Sequence, residues 1–302
     1  MKFRNITVFV CSLFVAIFSA YSQEGFGQSR IDTLIGKMEY ASAYKLAREQ
    51  WLQSQQSDGA AQLKAAFYLT AIDYAYSKTP EDSALMRYSS LAHQLEGVEQ
   101  AVAYAFLFQT YKWLYAARGY TLAHNKPSDD KALGWPQWHT QRMVDSLTAC
   151  VDSIMAKADL LRTTSAKGYR WLSSGEDQIQ PMDTSLMGMM VQMLIGTERY
   201  YANSDLLNES QWAAIQQPLT LFLKNTSDGL PYPFSIHRLV ASAFAESPAD
   251  QQLWIDLRRL ETFDFDSSLT EAVENLEHHY WPQLKSDGMK AWLKLCRAIC
   301  LY

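Results

Sequence analysis

The stretch Val98–Tyr120, VEQAVAYAFLFQTYKWLYAARGY, decides the fold of this chain. A helix advances about 100° per residue, and at that spacing the large side chains of the stretch fall on opposite sides. One side carries Val102, Phe106 and Trp113, and the other carries Tyr104, Phe108, Tyr111 and Tyr115. A helix that is apolar on most of its circumference is covered by neighbours on more than one side. We therefore expect Phe106, Phe108 and Trp113 to be buried between flanking helices.

Amphipathic patterns on both sides of this stretch predict the neighbouring helices. Thr79-Pro80 opens one of them with a helix N-cap followed by a proline in the first turn. Asn208 and Gln211 form the sequence signature of a capping box at the start of another. The predicted helices cover residues 31–56, 60–76, 80–95, 140–161, 163–172, 182–201, 209–224, 249 onward, 268–280 and 289–300.

No segment shows a sustained period-two alternation of apolar and polar residues, which argues against a sheet. The sequence therefore predicts an all-α fold of stacked antiparallel helix pairs, in an α-solenoid or tetratricopeptide-like array. The helical domain covers residues 23–302. The loop His124–Trp138 suggests a division of this domain into two sub-bundles, 31–124 and 136–302.

The first residues carry the pattern of a signal peptide. Lys2 and Arg4 are basic, Ile6–Phe18 is apolar, and Ala20-Tyr21-Ser22 is a small-x-small cleavage site. This pattern predicts a signal peptide at residues 1–22 and an exported mature chain, periplasmic or extracellular. No later window is long and apolar enough to predict a membrane span.

The composition indicates which classes of partner are expected. The 302 residues carry a net charge of −5 without a Lys/Arg run, so nucleic acid is not an expected partner. The 17 Tyr, 13 Phe and 9 Trp are many, and two interpretations are open. Aromatic side chains fill the core between helices, or they line a groove that binds sugar or peptide. Trp135 and Trp138 are the loop candidates for such a groove, although tryptophans also hold long loops against a fold.

Removal of the signal peptide leaves an odd number of cysteines, Cys150, Cys296 and Cys300, so they cannot all pair within the chain. We interpret them as buried structural thiols. Cys296 and Cys300 lie four residues apart on one helix face, which leaves a disulfide between them open. His278 and His279 point in different directions on a helix, so neither a metal nor another cofactor is predicted.

The sequence lacks the signatures of common enzymes, such as GxSxG, HExxH and the P-loop. Tyr232, His237 and Arg238 follow the loop Asn225–Pro233 and form the best catalytic candidate. Helical polysaccharide lyases use these residue types to abstract a proton beside a carboxylate, but the same residues are common where loops meet helices. We predict no catalytic residues, and a helical carbohydrate-active enzyme or glycan-binding protein remains the alternative.

The order of several short segments resembles the N-terminal helical region of large, exported bacterial alpha-2-macroglobulin-like proteins. These segments are Tyr44–Ala47, Gln62–Ala66, Leu85–Leu95, Ala101–Tyr111, Pro181–Leu194 and Asp256–Leu260. Gly188 departs from the family pattern, which has an acidic residue there. The resemblance implies a region that precedes β-sandwich domains. Some family members trap proteases through a bait segment and a Gly-Cys-Gly-Glu-Gln thioester motif, which this sequence lacks. Protease inhibition is therefore implied for the family's complete proteins, and no site residue is assigned.

We expect an exported, non-enzymatic helical scaffold that binds another protein or further C-terminal domains of a macroglobulin-like protein. The apolar residues Cys296–Tyr302 favour such a contact, because solenoids normally close with a polar outer face. A tetratricopeptide-like adaptor unrelated to macroglobulins is a third interpretation. The coding sequence downstream separates it from the first, since β-sandwich domains in frame are expected for a macroglobulin.

Overall fold

A computed structural model describes residues 30–54, 58–77, 79–128, 130, 133–172, 185–195, 207–226, 230–263 and 269–301. These residues form fourteen α-helices joined by loops and 3₁₀ turns, and they contain no β-strand. The all-α prediction is confirmed, whereas the tetratricopeptide-like arrangement stays a prediction. None of the helices described has the length and apolarity needed to cross a bilayer. The predicted signal peptide, residues 1–22, lies outside the described residues.

The helices follow one another along the whole described chain. They are α1 (Arg30–Gly36), α2 (Tyr40–Ser54), α3 (Gly59–Tyr76), α4 (Pro80–Gln94), α5 (Gly97–His124), α6 (Thr140–Met155), α7 (Ala158–Thr163), α8 (Leu186–Ile195), α9 (Glu209–Ile215), α10 (Leu219–Asn225), α11 (Phe234–Ala243), α12 (Ala249–Leu260), α13 (Thr270–Tyr280) and α14 (Asp287–Leu301). Thr79 is the N-cap residue of α4, and Asn208 and Gln211 form the capping box of α9, as predicted.

Three of the predicted helices are each divided in two. The pattern over 31–56 is interrupted at Met38, whose φ of 60° cannot continue a right-handed helix. The helix predicted over 209–224 breaks at Pro218, because proline lacks an amide hydrogen and disfavours helical geometry at the preceding residue. A turn at 156–157 separates α6 from α7, and nothing in the side-chain pattern explains it.

Two shorter predictions also differ in detail. The helix predicted over 163–172 is a 3₁₀ segment from Ala166 to Leu172. Of the helix predicted over 182–201, the described part is α8, and the remaining residues lie outside the described part of the chain.

The described helices separate into two compact units. The units comprise the described residues of 30–110 with 159–189, and of 111–158 with 190–301. The chain therefore passes between the units inside α5, between Thr110 and Tyr111, and again after Ala158 and after Met189. This grouping differs from the two consecutive sub-bundles that the loop at 124–138 suggested, because a segment after α6 belongs to the first unit.

In the first unit, α3 has nine buried residues. It packs against α2 and α4, and its Leu63 and Ala66 are fully buried. The Tyr68 hydroxyl of α3 donates a hydrogen bond of 2.9 Å to the Asp32 carboxylate of α1. A continuous apolar cluster joins α1 and α2 to α3 and comprises Ile31, Ile35, Ala43, Ala47, Tyr68, Leu69 and Ile72. Polar and apolar contacts therefore both hold the first two helices.

The opening stretch of the sequence forms α5, and the half of α5 in the first unit is covered on more than one side. Phe108 is fully buried. Phe106 stacks on Tyr88 of α4 with ring centroids 4.8 Å apart, and its centroid lies 5.8 Å from that of Phe67 in α3. Burial of Phe106 and Phe108 is confirmed. Trp113 is half-buried, which corrects the expectation of full burial, because α5 becomes increasingly exposed towards its C-terminal end.

Two glycines of α5 give opposite stability predictions. Gly97 has a φ of +61°, which alanine adopts at a cost, whereas a Cβ added at Gly119 inside the helix meets no atom within 4 Å. We expect Gly97→Ala to lower the free energy of unfolding by about 1–2 kcal/mol. We expect Gly119→Ala to raise it by about 0.5–1 kcal/mol, because alanine favours a helix interior. Urea denaturation of both variants measures the two shifts, and shifts of the same sign would contradict this backbone geometry.

Candidate functional sites

The candidate catalytic residues Tyr232, His237 and Arg238 lie at the start of α11, in the second unit. Tyr232 and His237 are 6% and 1% exposed, because both side chains face the core. Arg238 donates from Nε to the carbonyl oxygen of Thr226 at 3.3 Å. A general base has to come within hydrogen-bonding reach of its substrate. The burial of Tyr232 and His237 therefore favours a packing role for them.

Four aromatic side chains lie beside one another in the second unit, and we call them the aromatic row: Tyr111, Tyr115, Trp138 and Tyr232. The ring centroids of Tyr111 and Trp138 are 5.8 Å apart, and one helical turn later those of Tyr115 and Tyr232 are 4.8 Å apart. One pair contains the loop candidate Trp138, and the other contains Tyr232 of the candidate catalytic set. The guanidinium of Arg142 covers the Trp138 ring at 4.7 Å from its centroid, so one face of that ring is already occupied.

Trp138 also holds the loop between α5 and α6. Its indole N–H donates to the carbonyl oxygen of Leu133 at 2.8 Å. The side-chain amide of Asn125 donates to the carbonyl oxygens of Pro136 and Trp138 at 2.9 and 2.8 Å. Trp135 is half-buried in a 3₁₀ turn of the same loop. These bonds give Trp138 a structural role in the loop.

The aromatic row yields a prediction about alkaline stability. Burial raises the pKa of Tyr111 to about 12, the nearby Cys150 adds to the rise, and Arg142 opposes it. In the unfolded chain this phenol ionises near pH ~10. Its contribution to stability is therefore complete below pH ~10 and is lost as the pH rises from about 10 to about 12.

We expect the Tyr111→Phe variant to lose less stability than the wild type across this interval, since phenylalanine cannot ionise. Denaturation midpoints measured from pH ~9 to pH ~12 test the expectation. Tyr120, 79% exposed on the same helix, provides the control. Tyr120→Phe should follow the wild-type profile, and the idea fails if Tyr111→Phe follows it as well.

The sequence analysis did not identify a buried ionic cluster formed by Asp256, Arg259 and Tyr280. Asp256 Oδ1 and Arg259 Nη2 are 2.9 Å apart, and the two side chains are 0% and 1% exposed. The Tyr280 hydroxyl donates to Asp256 Oδ2 at 2.8 Å. The Arg259 guanidinium lies 4.1 Å from the ring centroid of Phe222. Removal of two full charges from water is costly, so the cluster depends on these partners.

The ionic cluster satisfies backbone groups at the break between α9 and α10. Asp256 Oδ2 accepts from the amide of Leu219 at 2.8 Å, at the first residue of α10, where no side chain of α10 provides a cap. Arg259 donates to the carbonyl oxygens of Ile215 and Gln217 at 3.0 and 2.5 Å, at the end of α9. Helix ends leave such groups without intrahelical partners. The ion pair of α12 therefore replaces the caps of two other helices.

The last helix exposes large apolar side chains on the side away from its core contacts. Its core side comprises Met289, Leu293, Cys296 and Cys300. The outer side, by helical spacing, comprises Ala291, Leu295, Ala298 and Ile299, which we call the apolar band of α14. Leu295 and Ile299 are 57% and 47% exposed. Contiguous exposed apolar surface of this kind is typical of contact sites.

Ion pairs line one edge of the apolar band. Arg297 donates to Glu274 and Glu277 of α13 at 2.9 and 2.7 Å. The Lys294 ammonium lies 4.8 Å from the ring centroid of Trp281. These contacts fix α14 against α13 and leave the band facing outward.

Cys150, Cys296 and Cys300 are buried free thiols, so the alternative of a disulfide between Cys296 and Cys300 is not observed. Burial raises the pKa of both Cys150 and Cys296 to about 12, which keeps these thiols protonated and unreactive. His279 stacks edge-on against Tyr280, with ring centroids 4.6 Å apart. Over the described ranges, no three His, Cys, Asp or Glu side chains gather as a metal site would require.

Comparison of the chain with known protein families, with curated proteins and with solved structures finds no match. The resemblance to alpha-2-macroglobulin-like proteins therefore stays a prediction.

Proposed function

We propose that this chain is an exported helical scaffold that binds another protein, and that it corresponds to the N-terminal helical region of a bacterial alpha-2-macroglobulin-like protein. The observation that carries the binding role is the apolar band of α14, with Leu295 and Ile299 57% and 47% exposed. Side chains of this size are costly to leave in water, and a protein contact would remove them from it.

The positions of the chemically versatile side chains support a scaffold more than an enzyme. His237 is 1% exposed, and the Asp256 carboxylate and the Arg259 guanidinium bind backbone groups of α9 and α10. These groups therefore contribute to the stability of the helical array, and a substrate would have to displace packed helices to reach them.

The sequence supports export and the family assignment. The signal-peptide pattern at 1–22 predicts secretion, and the segments from Tyr44–Ala47 to Asp256–Leu260 follow the order of the family's helical region. The partner on this proposal is a second protein or the β-sandwich domains that follow such a region. Domains of that kind encoded downstream would support the macroglobulin assignment, and their absence would favour an unrelated helical adaptor.

The scaffold proposal is tested by isolating tagged chain from cells that export it and identifying what accompanies it in a fixed ratio. We expect one identified protein to co-purify with the wild type and also with the control Tyr120→Glu, which changes an exposed residue elsewhere. We expect this protein to be absent from preparations of Leu295→Glu/Ile299→Glu, because burying two carboxylates in an apolar contact is strongly unfavourable. Saturable turnover of a uronic-acid polysaccharide that disappears in His237→Ala would overturn the proposal.

A glycan-binding protein is the second candidate function, and the aromatic row favours it. Tyr111, Tyr115 and Trp138 keep part of their surface exposed on neighbouring turns and could contact sugar rings through their edges. Tyr111→Ala should then abolish binding of an oligosaccharide measured by calorimetry, while Tyr120→Ala should leave it unchanged. Equal binding by the two variants would remove this candidate.

A further inference from the structure

The ionic cluster places charged side chains over a buried corner where apolar side chains would be usual. The corner between α9 and α10, residues 216–218, is covered by α12 and α13 through Asp256, Arg259 and Tyr280. Apolar side chains of similar volume often stabilise a buried site as well as an ion pair does, or better. The charges are therefore not needed for burial alone, and their contacts indicate what else they do.

The hydrogen bonds that the charged side chains make to backbone converge on one short piece of the chain, residues 215–219. Asp256 and the Tyr280 hydroxyl both accept from the Leu219 amide, at 2.8 and 3.2 Å. Arg259 donates to carbonyl oxygens on the other side of Pro218, at Ile215 and Gln217. The pair thus places an acceptor at the start of α10 and donors at the end of α9, an arrangement that matches one conformation of the corner.

We propose that the Asp256–Arg259 pair is a conformational lock that selects this single geometry of the α9–α10 corner, rather than a source of net stability. A continuous α9–α10 helix is already prevented by Pro218. The proline leaves several orientations open to α10. Only one of them places the Leu219 amide at Asp256 while the carbonyl oxygens of Ile215 and Gln217 stay at Arg259, so the charged pair selects that orientation. An apolar pair would cover the corner equally well in several directions.

The test compares charged, half-charged and apolar versions of the cluster. The single variants Asp256→Val and Arg259→Met each leave one buried charge without its partner, and we expect their urea midpoints to fall well below that of the wild type. We expect the urea midpoint of the double variant Asp256→Val/Arg259→Met to return most of the way to the wild-type value. Amide hydrogen exchange at Gln217 and Leu219 should nevertheless be at least about tenfold faster in the double variant than in the wild type.

Two outcomes would overturn the proposal. If the double variant is as unstable as the single variants, or does not fold, the pair supplies stability and is not a lock. If the double variant recovers the urea midpoint and its amides at Gln217 and Leu219 exchange as in the wild type, the charges do not select the geometry of the corner. Tyr280→Phe provides a milder check, since it removes one donor to Asp256 and leaves both charges. It should speed exchange at Leu219 while amides of α3, in the other unit, exchange as in the wild type.

Discussion

We expect replacement of Arg259 by methionine to lower the free energy of unfolding by about 3–5 kcal/mol. The change leaves the Asp256 carboxylate, 0% exposed, without its cation, and it removes the donors to Ile215 and Gln217. An uncompensated buried charge and two lost hydrogen bonds act in the same direction. Urea denaturation followed by circular dichroism measures the effect.

The chain offers a matched control for this prediction. Arg162 pairs with Asp159 at the same spacing of three residues and the same distance of 2.9 Å, but on the surface, where the two side chains are 32% and 102% exposed. Arg162→Met should therefore change the free energy of unfolding by less than about 1 kcal/mol. Similar losses in the two variants would show that burial does not set the importance of Arg259.

Replacement of Phe108 by alanine is the second large effect and should lower the free energy of unfolding by about 3–5 kcal/mol. Phe108 is fully buried in the first unit, in the most apolar part of α5, so the change leaves a cavity between helices. Tyr120→Ala, on the same helix but 79% exposed, is the control and should cost less than about 1 kcal/mol. A small loss at Phe108 would mean that α5 is not covered on both sides.

The sequence predicted the fold class because the decisive signals are local. Apolar side chains around the whole of Val98–Tyr120 required a helix with neighbours on several sides, and Phe106 and Phe108 are buried accordingly. The capping box at Asn208 depends on residues three positions apart, so it too could be predicted from the sequence. The break at Met38 was missed, because a positive φ at a non-glycine residue has no sequence signal there.

The ionic cluster could not have been predicted from local patterns. Asp256 and Arg259 have the spacing of an ordinary surface ion pair within one helix, like Asp159 and Arg162. Their burial depends on α9 and α10, about forty residues away, and on Tyr280 of α13. The signal that could have been used is Pro218, since a helix start without a side-chain cap needs an acceptor from elsewhere.

The candidate catalytic set shows the same limit. Tyr232 and His237 lie five residues apart and belonged to the best catalytic candidate, but both side chains face the core. The contact of Tyr232 with Tyr115 comes from packing across the second unit, which residue spacing cannot predict. The sequence pattern placed these residues after a loop and predicted no helix over 234–243, so it could not tell which side of α11 is covered.

The scaffold proposal is tested most directly by the mass of the complex isolated from exporting cells, measured by light scattering after size-exclusion chromatography. We expect the mass of one chain plus one identified partner for the wild type, and of the chain alone for Leu295→Glu/Ile299→Glu. A wild-type chain that runs alone and turns over a polysaccharide would contradict the proposal.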